Sequence, residues 1–145
     1  MRAIVSVAAV TLLALAANAW LVRQGVALDL VVPSPEKVVR GFVTTLAAGR
    51  PERAREALSE PAKAELSVDR LRWLDDRLHE RFGVYHVVPL ETVLRRDSAT
   101  TGARLQPGRG DPVHVTFPLV RETPSRLWRI DGLGSLEALA ARASL

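Results

Sequence analysis

Apolar residues recur every three or four positions before Gly83 and every second position after it. The first spacing belongs to helices and the second to half-buried strands, so the chain reads as helices followed by a sheet. Ser34-Pro35-Glu36 opens a helix over 35–48. Serine caps, proline suits the first helical position, and glutamate meets the positive end of the dipole. Val38, Val39, Phe42, Val43 and Leu46 form its apolar face, and Gly49 stops it. Pro51 starts a second helix on Ala54, Ala57 and Leu58, disturbed at Glu60-Pro61. A third follows Ser67, with Val68, Leu71, Leu74 (or Trp73), Leu78 and Phe82 as its buried stripe and Gly83 as its end. Strands are predicted over 84–96, 99–106, 113–122 and 126–131, and a short tail helix over 135–143. Pro107–Pro112 is a loop, and Asp97-Ser98 and Thr123-Pro124-Ser125 are turns. The plan is α+β: three helices covering one face of a curved antiparallel four-stranded sheet. Pro89, Gly102 and Pro118 are its candidate bulge sites.

A second feature precedes this plan. Residues 3–22 carry no charge and are bracketed by Arg2 and Arg23, with Trp20 near the distal end. Twenty helical residues span about 30 Å, the thickness of a bilayer core. The run is read as an N-terminal transmembrane helix over 1–23, with 24–33 as tether, 34–133 as the folded domain and 134–145 as tail. The chain is thereby expected to be a single-pass inner-membrane protein with its domain in the periplasm or extracytoplasmic space. The alternative is a signal peptide cleaved at Ala17-Asn18-Ala19, which would release a secreted protein. The inverted orientation stays open, because Arg23, Lys37 and Arg40 follow the run while Arg2 precedes it.

Composition narrows the chemistry. The chain has no cysteine, which removes disulfides, thiolate metal ligands and a cysteine nucleophile. Eighteen of its twenty basic residues are arginine, and its net charge is +4. Acids are interleaved throughout, as in Glu52-Arg53-Ala54-Arg55-Glu56 and Asp75-Asp76-Arg77, so no basic patch for nucleic acid is expected. His79, His86 and His114 lack metal-ligand spacing among themselves, and no metal or cofactor is expected. The Gly108–Gly110 loop lacks the lysine and following helix of a phosphate-binding loop.

The order of elements resembles a known family. Pro35-Glu36-Lys37-Val38-Val39-Arg40-Gly41-Phe42-Val43 with Leu46-Ala47-Ala48-Gly49 is similar to the opening helix of the cone-shaped superfamily of nuclear transport factor two and ketosteroid isomerase, the SnoaL-like proteins. Arg53–Ser59 resembles its short second helix, and Leu127-Trp128-Arg129-Ile130-Asp131-Gly132-Leu133 resembles the close of its last strand. The resemblance implies a cone with an apolar pocket between sheet and helices. It also places the chain beside membrane-anchored bacterial members, among them subunits of envelope complexes. Fold alone assigns no function.

Isomerase-like chemistry in such a cone needs a carboxylate base and a hydrogen-bond donor inside the pocket. Glu91 and His114 alternate away from the expected core, and Asp97 sits at a turn. His86, in phase with Val84 and Val88, is the histidine expected to look inward and the one weak catalytic candidate, with Tyr85 as a possible donor. Phe42, Trp73, His86 and Phe117 are the expected pocket lining; Trp73 is expected in the core and His79 on the surface. His114, Thr116, Val120 and Trp128 are expected on the open sheet face, as an interface. The favoured function is a non-catalytic, membrane-tethered interaction or assembly module that binds a protein partner or a second copy. The alternatives are a carrier or sensor of a small apolar ligand and a small isomerase or hydrolase.

Overall fold

Three serines set the helical half of the molecule. In the computed structural model, which describes residues 32–142, each of Ser34, Ser59 and Ser67 accepts a main-chain N–H three residues on. They begin α1 (Pro35–Ala47), α3 (Glu60–Glu65) and α4 (Val68–Phe82), while Pro51 begins the short α2 (Pro51–Arg55). The predicted second helix is thus two short ones, separated where Glu60-Pro61 disturbs the pattern. Gly83, at φ 68°, ends α4 in a conformation that a side chain disfavours. No helix among the described residues is long and apolar enough to cross a membrane, and the run at 3–22 lies outside them.

The strands are β1 (Tyr85–Leu94), β2 (Ser98–Pro107), β3 (Val113–Arg121) and β4 (Trp128–Ile130). They form one antiparallel sheet in the order β1-β2-β3-β4. Of the three expected bulge sites, only the one at Pro89 interrupts the register, where β1 gains a residue before Thr92. Gly102 and Pro118 pair in regular register on β2 and β3. The outer edge of the short β4 is also paired. Ile130 donates to the Ala57 carbonyl, Ser59 donates back to the Ile130 carbonyl, and the Ser59 hydroxyl donates to Asp131 at 2.7 Å. Beyond it the chain runs along β3, with Asp131 donating to the Pro118 carbonyl and Thr116 to the Ser135 hydroxyl. At Gly134, φ 52°, a Cβ would collide with the Thr116 carbonyl, so glycine is required there. α5 (Ser135–Arg142) then packs on α4 and β3, burying Leu136 and Ala140.

The core lies between the helices and one face of the sheet. α1 contributes Val39, Phe42, Val43 and Leu46; α4 contributes Leu71, Leu74 and Leu78; the sheet contributes Leu105, Val115, Phe117, Leu119 and Ile130. These are the apolar positions that the 3.6- and 2-residue spacings pick out.

Candidate functional site

Two of the four residues expected to line a pocket are buried in the core. Phe42 and Phe117 retain 1 % and 0 % of their accessible surface and meet edge to face at 6.4 Å. Side chains with no accessible surface have none to offer a ligand, so both are core. Trp73 packs against the core without being fully buried in it. It lies half-buried on α4 at the edge of the core, with the Arg70 guanidinium 4.2 Å from its ring centre and that of Arg77 at 5.9 Å. His86 does not look inward. It is exposed, while its neighbours Tyr85 and Val87 are buried. The stretch Val84-Tyr85-His86-Val87-Val88 is apolar in both phases of the alternation, and the protein uses the phase opposite to the expected one.

That phase brings together a polar joint between α4 and β1. Tyr85 brings its hydroxyl to Asp75 and donates to Oδ1 at 2.5 Å. His79, one turn along α4, places Nδ1 2.9 Å from the same oxygen and 3.0 Å from the Asp75 carbonyl. The imidazole meets the Tyr85 ring edge-on, with centres 5.0 Å apart. Burial pushes the Asp75 carboxyl above the usual carboxylate range, against the pull of the Tyr85 hydroxyl and His79. Burial and the adjacent carboxylate push the Tyr85 hydroxyl far above its ordinary value, so it stays protonated and donates. The aspartate orients one ring nitrogen of His79, as in an acid–base pair. With only 2 % of Tyr85 accessible, however, the joint reaches no substrate through that hydroxyl, and its effect is to fasten α4 to β1. The signal for it was the Asp75/His79 spacing of four residues, with Asp75 flanked by the buried Leu71, Leu74 and Leu78. A pattern search confined to histidine pairs overlooks it. Among the described residues no group of three or more His, Cys, Asp or Glu is placed to hold a metal ion.

The sheet face turned away from the helices carries most of the expected interface. His114 is exposed, Thr116 and Val120 are half-buried, and the His114 ring lies over Gly102, where a Cβ would come within 3.3 Å of Nε2. Trp128 is the exception. It is buried on the other face, in step with Ile130, under the Arg121 guanidinium at 4.6 Å. Large apolar exposure is absent from the centre of this face. It follows the edge strand instead: Leu90 is 48 % exposed, Val93 58 % and Leu94 63 %, and Val84 just before β1 is 78 %.

No protein-family model matches the sequence, and no curated protein matches it. Solved structures do. One is a protein of Campylobacter jejuni provisionally described as an NTF2-like transpeptidase. It is 14 % identical, with a TM-score of 0.53 over 67 % of this chain and 96 % of that one. At that identity the likeness is one of fold: helices on an antiparallel four-stranded sheet, in the NTF2-like arrangement.

Proposed function

We propose that this chain is a membrane-tethered interaction or assembly module of the cell envelope, held by the helix at 3–22 with its NTF2-like domain outside the cytoplasm. The observation that carries this reading is the burial of the two aromatics expected to line a pocket: Phe42 and Phe117 pack edge to face with 1 % and 0 % of their surface accessible. Recognition then belongs to the outside of the domain, where His114, Thr116 and Val120 offer a mixed polar and apolar sheet face to a protein partner or a second copy. The ligand-carrier alternative loses Phe42 and Phe117 of its expected lining to the core, and the isomerase alternative loses its inward histidine. The test is extraction of the full-length protein from its native membrane in mild detergent, followed by size exclusion and mass spectrometry of what co-migrates. A stoichiometric partner with residues 1–22 retained is the expected result. A lone protein beginning at Trp20 would overturn the tether and the assembly role together.

A further inference from the structure

Val93 and Leu94 are consecutive residues of a strand, so their side chains leave opposite faces of the sheet. Both are exposed, at 58 % and 63 %. A partner docked on one face would cover one of them and leave the other wet, and a strand added to the edge would pair main chains rather than cover both side chains. A medium that surrounds the edge covers both. Beyond Leu94 the hairpin turns through Arg95, Arg96 and Asp97, all exposed, with Arg95 donating to the Ser98 carbonyl.

The chain also enters the domain at this end. α1 begins at Pro35 and lies against β1, and the Thr92 hydroxyl beside Glu36 holds that carboxyl below the usual carboxylate range. Thr92 is the residue before Val93. The ten residues of the tether, 24–33, reach at most about 33–36 Å when fully extended.

We propose that the outer half of β1 is a second membrane contact, in which Val93 and Leu94 enter the interfacial layer of the bilayer while Arg95 and Arg96 meet lipid phosphates. The proposal rests on the reading of 3–22 as an anchor. Glu91 and Asp97 offset the two arginines in charge, so the apolar pair supplies the attraction and the contact does not need anionic lipid. Its consequence is orientation. A domain held at its tether and at its hairpin presents His114, Thr116 and Val120 in a fixed direction relative to the membrane, not on a freely tumbling body.

The absence of cysteine makes the test clean. Single variants Leu94→Cys, Asp111→Cys and Ala14→Cys of the full chain take an environment-sensitive fluorophore. They are then reconstituted into phosphatidylcholine vesicles with brominated acyl chains. The expected result is lipid quenching at 14 and at 94, the latter about half as strong or more, with none at 111 in the β2–β3 loop. Val93→Asp in the Leu94→Cys background is expected to cut quenching at 94 about twofold or more. Quenching at 14 with position 94 as wet as 111 would overturn this proposal and leave the anchor standing. No quenching at 14 would remove the anchor and this proposal together. A label at 94 that is shielded from water but unquenched by lipid would overturn it in favour of a second copy.

Discussion

The two halves of β1 have similar residues and opposite fates. From Tyr85 to Val87 the strand is clamped: Tyr85 and Val87 are buried, Val87 pairs with Leu105, and the Tyr85 hydroxyl is tied to Asp75. From Leu90 to Leu94 it is exposed except at the half-buried Thr92, although Leu90, Val93 and Leu94 are as apolar as the residues of the first half. The bulge between Pro89 and Thr92 separates them. Composition does not distinguish the halves. Cover does: the Tyr85 hydroxyl ties the first half to Asp75 on α4, while in the outer half Thr92, beside Glu36 of α1, is the half-buried residue. A strand's burial is a property of what lies over it.

The sharpest way to break this contrast is to make the same substitution on both sides of the bulge. Val87→Asp places a charge among core side chains and is expected to cost about 4 kcal/mol or more, whereas Val93→Asp should stay within about 0.5 kcal/mol of the parent. Urea unfolding of the pair measures both. Equal losses would mean that the outer half is covered in solution.

Tyr85→Phe keeps the ring in the core and removes only the donor to Asp75. A loss of about 1–3 kcal/mol is expected, because a buried carboxylate loses a partner. A neutral result would show that the joint is not what holds β1 in phase.

The two carboxyls beside β1 are shifted in opposite directions, which predicts opposite pH dependence. Burial raises Asp75, so the folded protein holds that proton more tightly than the unfolded chain does. Its contribution to stability is therefore present at low pH and falls as pH rises from the ordinary carboxylate range through the raised value. Thr92 lowers Glu36, whose contribution is present above the ordinary range and is lost as pH falls through the lowered value. The stability difference between parent and Asp75→Asn should accordingly shrink with rising pH, and that between parent and Glu36→Gln should grow. Unfolding titrations from acid to neutral pH read both slopes, and parallel curves would contradict the contrast.

The smallest effect belongs to Leu94→Ser. With most of the side chain already in water, the change should fall within about 0.5 kcal/mol by thermal or urea unfolding in the absence of lipid.

Much of this architecture is legible in the sequence. The three serine caps, the glycine at the end of α4 and the alternation in Val113–Leu119 are local signals, and the elements form where those signals place them. The bulge at Pro89 was legible too, because proline cannot serve as a ladder donor. The candidate site was far less so. Val84-Tyr85-His86-Val87-Val88 fits the core in either phase, and the phase adopted, with His86 outward, is the one that brings Tyr85 to Asp75, ten residues away in sequence. Trp128 lies with the core because β4 pairs in the register that sets Ile130 beside Leu119. Phe42 and Phe117, distant in sequence, meet edge to face inside the core where they were expected to line a pocket.

By itself the sequence determined the order of the elements, the ends of the helices and the uncharged run before them. Each depends on residues within a few positions of one another, and capping, periodicity and proline geometry act over that range. The tertiary structure alone decided which carboxylate is buried, which way β1 faces and which half of it stays exposed. Those outcomes depend on which side chains arrive over a given face once the helices and the sheet have closed on one another. Local chemistry proposed both phases of β1, and only packing chose between them.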